Sequence, residues 1–177
     1  MKKYELTAEF IEKWGKKLFR IKALISFGSV EAGELGGYIE KEDNLAHDGN
    51  AWVSGDARVS GNARVYGNAR VSGDAEVSGD ARVYGDAEVS GNADYLLIGR
   101  IGSRFSFTTF FKNKDKGITV SCGCFLGTIA EFRAKVTDTH GNNKHAKIYN
   151  LAADMAELQI LGEEHFDKLN TNKSESF

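Results

Sequence analysis

Between residues 49 and 93, apolar and polar positions alternate within a phrase six residues long. Val recurs at every sixth position from 53 to 89, and Ala does so from 51 to 93. Within each phrase Ala and Val would face inward and their neighbours outward, which is typical of a short half-buried strand. A Gly followed by Asp or Asn then predicts a corner, because Gly tolerates positive φ. The pattern predicts a coil of short strands joined by tight corners.

A longer period of eighteen residues is superimposed on the six-residue one. Tyr66 and Tyr84 lie eighteen residues apart at outward positions, as do the opposite charges Arg58 and Glu76. Stacked rings and opposite charges on neighbouring strands are favourable, so three six-residue sides are expected to form one coil. Val53, Val71 and Val89 would then be stacked inside.

This arrangement closely resembles the hexapeptide-repeat left-handed β-helix. The resemblance implies the left hand and the assembly of homotrimers through a flat face. Residues before the repeats keep its phase, with inward side chains expected at Leu35, Ile39, Leu45 and Ala51. Lys41 and His47 occupy slots that later hold Val, so we expect an irregular first coil.

The fold prediction is mainly β, with a parallel β-helix over residues 35–94. An open coil edge needs a cover, and residues 1–34 are predicted to supply it as a β-hairpin cap. Residues 95–162 are predicted to form a ββαα module that contains two β-type runs, 104–111 and 117–125. The polar residues 163–177 are expected to form a flexible tail.

Two helices are expected in the ββαα module. Thr128 and Glu131 have the spacing of a capping box, which predicts a helix that ends at Gly141. Ile129, Phe132 and Val136 lie on one face of it. A second helix is predicted over residues 144–161, with an apolar stripe formed by Ile148, Leu151, Met155 and Leu158.

The chain is also similar to phage- and prophage-encoded hexapeptide-repeat proteins of an acyltransferase-like type. The similarity covers LGGYIEKEDNLAHDGNAWVSG, the repeats, and the region from IGSRFSFTTFF through VSCGCFLGTIAEF to THG. It implies expression in the cytoplasm of an infected cell and suggests a counter-defence role. It supplies no known reaction.

Charge is unevenly distributed along the chain. Residues 95–147 hold nine Lys/Arg and three Asp/Glu, whereas residues 47–94 hold four and eight. The acidic repeats would repel long nucleic acid, so a small anion or a host protein is the expected partner. The amino terminus lacks a signal-like apolar core and no run reaches membrane-spanning length, which indicates a cytoplasmic protein without a membrane partner.

The basic module is the preferred ligand site. Arginine and lysine would bind phosphate, hydroxyls would fix its orientation, and the nearby phenylalanines would contact a base. The predicted ligand-binding residues are Arg100, Ser103, Arg104, Thr108, Thr109 and Lys112. A solvated lysine loop beside a phenylalanine core is the alternative interpretation.

A second candidate is the outward column formed by Arg64, Tyr66, Arg82 and Tyr84. Two stacked arginines repel each other unless an anion lies between them. The column is therefore interpreted either as a subunit interface, which we favour, or as an anion site. Arg100 would continue it if the coil extends that far.

No catalytic residue is predicted. An acyltransferase needs a general base, and His47 is the one histidine in the repeats; a structural role at a bend is favoured. Cys122 and Cys124 are too close in sequence for an unstrained disulfide and are predicted to be free, buried thiols on one strand. Zinc bound by them with His140 and His145 is a minority hypothesis, so neither a metal nor a cofactor is expected.

We therefore expect a non-enzymatic binding protein of phage type. Its carboxyl-terminal module would capture an anionic nucleotide-like ligand or occlude a host protein. The alternative is a hexapeptide-repeat acyltransferase that uses an acyl-thioester donor.

Overall fold

The computed structural model describes residues 1–164, so that residues 165–177 of the predicted tail lie outside the described part. The chain forms two compact units, one from Met1 to Asn92 and one that begins at Ala93. It is mainly β, with a pair of helices near the carboxyl end. No helix within residues 1–164 is long and apolar enough to span a membrane.

The first unit contains ten strands and a short 3-10 helix at Glu42–Asn44. The strands are β1 (Tyr4–Lys13), β2 (Lys16–Ala23), β3 (Leu35–Ile39), β4 (Trp52–Val53), β5 (Arg58–Val59), β6 (Arg64–Val65), β7 (Arg70–Val71), β8 (Glu76–Val77), β9 (Arg82–Val83) and β10 (Glu88–Val89).

Strands β3 to β10 form parallel ladders that join successive turns of the repeat. One ladder contains β4, β7 and β10, a second contains β6 and β9, and a third joins β3, β5 and β8. Val53 lies opposite Val71, which lies opposite Val89, so the predicted displacement of eighteen residues is confirmed. The first unit therefore contains a β-solenoid.

The solenoid interior is filled by two small side chains from each phrase. The alanines from 51 to 87 and the valines from 53 to 89 have no solvent exposure. Outside, Arg58 donates to Glu76 across 3.0 Å, and the rings of Tyr66 and Tyr84 stack with centroids 4.4 Å apart. Both outward pairings were predicted from the eighteen-residue period.

The first coil is longer than the others. Ile39 lies opposite Val59, which is a displacement of twenty residues. Leu35 is 49% exposed, so its predicted inward position is wrong, although Ile39 and Leu45 are buried as expected. The interior beside Leu35 is crowded, because a Cβ on Gly36 would lie 2.5 Å from both the Ile21 side chain and the Val53 carbonyl oxygen.

The amino-terminal residues cover the exposed backbone of the first coil. Strands β1 and β2 form an antiparallel hairpin, and β2 extends the ladder by pairing with β3. The buried Lys3 ammonium donates to the carbonyl of Ala51 across 2.9 Å. The Tyr4 hydroxyl lies 2.7 Å from the Leu45 carbonyl oxygen, to which it donates. These contacts satisfy carbonyls that no preceding coil can reach.

The second unit contains a four-stranded antiparallel sheet and two helices. In chain order these are β11 (Tyr95–Ile101), β12 (Ser106–Lys112), β13 (Ile118–Cys122), β14 (Phe125–Thr128), α1 (Ile129–His140) and α2 (Lys144–Leu161). Each strand pairs with the next one in sequence. The module is thus ββββαα, and the predicted ββαα is wrong in its strand count.

Both missed strands have a local cause. The β11 segment opens with four consecutive apolar residues and continues through Gly99 and Arg100, so it lacks the alternation that indicates a half-buried strand. The predicted 117–125 run is divided by a turn at Gly123, whose φ is +62°, and β14 begins after it. One sequence run therefore contributes to two strands.

The helices share an apolar core with the sheet. Phe132 and Val136 of α1 are buried as predicted, and Thr128 caps α1 through its reciprocal contacts with Glu131. In α2 the predicted apolar stripe does not face the core, because the buried face instead contains Ala146, Tyr149, Ala152, Ala153, Ala156 and Ile160. Alanines allow a helix to pack closely against its neighbours. The prediction was based on the large apolar residues and therefore missed this face.

Val71→Asp tests the solenoid core. The substitution would bury an unpaired carboxylate between Val53 and Val89, and we expect a loss of more than about 4 kcal/mol in unfolding free energy. Circular dichroism of the purified variant measures the loss. Ser72→Asp, at the adjacent outward position, should fold as the parent does. A soluble, fully folded Val71→Asp protein would contradict the proposed packing.

The buried Lys3 should make the stability of the protein depend on pH. Burial lowers the pKa of Lys3 to about 8, and nearby Asp48 partly opposes the shift. Between pH 8 and about 10.5 the unfolded chain holds a proton that the folded chain has released, so this residue's contribution to stability rises with pH. Denaturant unfolding of the parent and of Lys3→Met should show a difference that grows in the parent's favour over that range. A constant difference would contradict the assignment.

Candidate functional site

The turn between β11 and β12 lies directly against a tyrosine of α2. Gly102 has a φ of +72°, and a Cβ added to it would lie 1.8 Å from the Tyr149 hydroxyl oxygen. Glycine is therefore required here, because the backbone has a positive φ and because no side chain would fit beside Tyr149. The next two residues, Ser103 and Arg104, are exposed at the tip of this turn. The close approach holds the turn beside α2.

A pocket of about 190 Å³ opens beside this turn, within the second unit. Its walls come from the β11–β12 turn, the β13–β14 turn, α1 and α2. The lining residues are Ser103, Arg104, Ser106, Cys122, Gly123, Cys124, Phe125, Phe132, Lys135, Val136, Thr139, His140 and Tyr149.

The lining is basic. Arg104, Lys135 and His140 carry or can carry positive charge, and no carboxylate belongs to the set that lines this pocket. The Arg104 guanidinium extends over the β13–β14 turn, since a Cβ on Gly123 would lie 3.8 Å from one of its terminal nitrogens. The Lys135 ammonium lies 3.2 Å from Asp138 on the exposed surface of α1. This electrostatic environment favours an anion.

Aromatic and hydrogen-bonding groups form the inner wall. Burial raises the pKa of Tyr149 to about 12, and the neighbouring Cys122 adds to the shift while Arg104 opposes it. The tyrosine therefore stays protonated and able to donate at neutral pH. His140 stacks on Tyr149 with ring centroids 5.8 Å apart. Thr108 lies behind the wall and donates to the Cys122 sulfur across 3.2 Å.

Two of the six predicted ligand-binding residues, Ser103 and Arg104, line the pocket. Thr108 and Thr109 are buried within β12, and the Lys112 ammonium lies 3.1 Å from Asp94. Arg100 is exposed in β11, which pairs antiparallel with β12, so it does not extend the parallel Arg64 and Arg82 ladder. Arg104 lies in the turn between β11 and β12.

Several lining residues were missed because they come from distant parts of the chain. Tyr149, Lys135 and Thr139 lie on α1 and α2, for which the sequence predicted only caps and apolar faces. The predicted burial of Cys122 and Cys124 on one strand is wrong. Cys122 ends β13 half-buried, and Cys124 is exposed in the turn that follows. Both line the pocket.

The column on the solenoid lies in a different environment. Arg64 lies opposite Arg82 in the parallel ladder, beside the stacked tyrosines. A groove of about 550 Å³ runs along Arg64, Tyr66 and Arg82, but it is also lined by Glu42, Asp43 and Asp48. Three carboxylates beside two arginines favour an anion less than the second-unit pocket does.

His47 is held by contacts with the amino-terminal strand. Its ring stacks on Tyr4 with centroids 4.3 Å apart, and Nδ1 accepts a hydrogen bond from the Lys3 backbone N–H across 3.2 Å. Partial burial lowers the pKa of His47, which keeps the ring neutral at pH 7. Because Nδ1 is an acceptor, the proton of the neutral ring lies on Nε2. The ring therefore has no available lone pair to act as a base.

Comparison with known proteins bears on the repeats. A family model described as the YdcK beta solenoid repeat matches residues 63–79, which include β6, β7 and β8. The match agrees with the parallel ladders and covers none of the second unit. A search of the curated proteins found no match. Within residues 1–164 no group of three or more His, Cys, Asp or Glu residues is placed to hold a metal ion.

Proposed function

We propose that this protein binds a small anionic ligand without transforming it, and that the pocket of the second unit is the binding site. The observation that carries the proposal is the lining of this pocket, which combines Arg104, Lys135 and His140 with no carboxylate. An anion there would find the Arg104 guanidinium as a charge-assisted donor that no lining acid engages, while Lys135 would be shared with Asp138 outside the pocket.

The other walls suit a flat ring attached to the anionic group. Phe125, Phe132 and Tyr149 supply aromatic surface against which a flat ring can lie. The volume of about 190 Å³ is smaller than that of most ligand pockets, so the pocket would hold the ring while the anionic group stays at the exposed Arg104. A nucleotide-like molecule, with its phosphate at Arg104 and its base against the rings, has this combination of groups.

We further propose that the solenoid is a left-handed β-helix that assembles as a homotrimer through the Tyr66 and Tyr84 face. The match to a β-solenoid repeat supports a coil of repeats, and the parallel ladder of β6 and β9 brings the two stacked tyrosines together beside it. In a phage-type protein of the host cytoplasm, sequestering a nucleotide-like molecule would serve counter-defence. The ladder of β6 and β9 would then form the subunit interface, and the second unit would bind the ligand.

The acyltransferase alternative receives less support from the geometry. Its candidate base, His47, uses Nδ1 to accept a backbone hydrogen bond and stacks on Tyr4. Both contacts belong to the cap of the first coil. A general base must present a lone pair to the acceptor group, and this ring presents an N–H.

Arg104→Ala tests the binding site. Mass spectrometry of small molecules released by heat denaturation would first identify a retained ligand, and AMP titrated by calorimetry serves as the defined probe. Losing a charge-assisted contact should cost about 2 to 3 kcal/mol, or roughly a hundredfold in affinity for AMP. Folding should persist, because Arg104 is exposed.

Two controls make the test specific. Arg100→Ala removes an exposed arginine that does not line the pocket and should leave AMP affinity unchanged. His47→Ala should also leave binding intact, whereas an acyltransferase that depends on this residue would lose acyl transfer. Equal AMP affinity in Arg104→Ala and the parent would overturn the proposed site.

Assembly is tested at the tyrosine column. Replacing Tyr66 and Tyr84 together with Ala removes the stacked aromatic surface, and light scattering should show a threefold fall in particle mass. The matched control replaces Arg58 and Glu76 with Ala, which removes an outward pair from a different ladder. A mass that does not change in the tyrosine variant would refute the proposed face.

A further inference from the structure

Helix α2 exposes a narrow apolar stripe. Leu151, Met155 and Leu158 are 63%, 57% and 46% exposed, and half-buried Ile148 lies on the same line. The four positions follow a spacing of three, four and three residues, which is the a and d pattern of a coiled-coil seam. A seam of this width fits the side of one other helix.

The remaining faces of α2 are already engaged within the unit. Its alanines, Tyr149 and Ile160 form part of the core. On another flank, Arg133 of α1 donates to Asp154 and Glu157 of α2, each across 2.7 Å. The stripe is thus the face of α2 that remains open to a partner.

The charges at the two ends of α2 oppose its own dipole. Lys144 and Lys147 lie in or beside the first turn, which contains no acidic residue. The last turn contains no basic residue, and Glu163 and Glu164 follow shortly after it. A helix dipole favours the reverse arrangement, with acids at the amino end and bases at the carboxyl end. The arrangement therefore weakens an isolated helix slightly.

We infer that α2 docks antiparallel on α2 of a second copy of this chain, about a two-fold axis between Leu151 and Met155. Each Leu151 then faces Met155 of the other copy, and each Ile148 faces Leu158. The antiparallel direction brings the basic amino end of each helix beside the acidic segment that follows the other. The charges that oppose the dipole within one helix become complementary between two.

The proposed contact joins two copies about a two-fold axis, so its loss halves the mass of the particle that it holds together. An 18-residue helix is about 27 Å long, and a single helix pair buries less area than a standard interface. The association should therefore be weak, with a dissociation constant on the order of micromolar.

The first experiment removes the seam. Replacing Leu151 and Met155 together with Glu should halve the particle mass measured by light scattering at about 100 µM, well above a micromolar constant. Both side chains are exposed, so circular dichroism should be unchanged. Leu126→Glu makes the same kind of change at another exposed apolar residue and should keep the parent mass. An unchanged mass, or a threefold fall, would overturn the two-fold contact.

The second experiment tests the direction of the helices by exchanging charges. One variant combines Lys144→Glu with Lys147→Glu. The other combines Glu163→Lys with Glu164→Lys. Each variant alone should show half the particle mass of the parent, because like charges would meet across the antiparallel pair. Each exchange also improves agreement with the helix dipole, so weakening of α2 itself cannot explain that loss.

An equimolar mixture of the two charge variants completes the test. In a mixed antiparallel pair, acids face bases at both ends, so the doubled mass should return. A parallel pair would place bases beside bases and acids beside acids at matching ends in the parent. Failure of the mixture to restore the doubled mass would overturn the antiparallel proposal.

Discussion

The backbone hydrogen bonds between successive coils, eighteen residues apart, determine the rest of the first unit. The Trp52 N–H donates to the Ala69 carbonyl across 3.0 Å, and the same relation recurs along the ladders. The corners must come equally close, since a Cβ on Gly49 would lie 2.5 Å from the Gly67 carbonyl oxygen. Because both the corners and the ladders are in contact, outward side chains eighteen residues apart lie directly over one another. Tyrosine stacking and the Arg58–Glu76 pair follow from that register.

Such a register can be read from sequence because every phrase repeats the same local chemistry. The inward alanines and valines and the stack of Val53, Val71 and Val89 were predicted correctly. An irregular first coil was predicted, but its length was not, because two additional residues break the period and leave Leu35 exposed. In α2, the core selects the face that permits closest approach, and the alanines satisfy that requirement better than the larger leucines do.

The candidate site was predictable only where it lies on one local segment. Ser103 and Arg104 follow a glycine that indicates a turn, and that signal is contained within the sequence of the turn. Tyr149 joins them through tertiary packing against Gly102, at a separation of nearly fifty residues. Thr108 and Thr109 show the converse limitation, because hydroxyl chemistry suggested a ligand while the strand placed both side chains in the interior. Residue type identifies possible chemistry, and burial decides whether a ligand can reach it.

The two units differ in what their interiors can hold. Alanine and valine fill the solenoid without any solvent exposure, so recognition by this unit depends on its outward columns. Each column places identical or complementary side chains at regular spacing, which suits contact with another extended surface. The second unit instead leaves a pocket where two turns and two helices meet, beside a buried tyrosine that stays protonated at neutral pH. A concave site with a basic rim and an aromatic wall can surround a small anion, whereas a strand ladder can only cover one side of it. The proposed ligand binding is therefore assigned to the second unit, and the proposed assembly to the repeating surfaces of the solenoid.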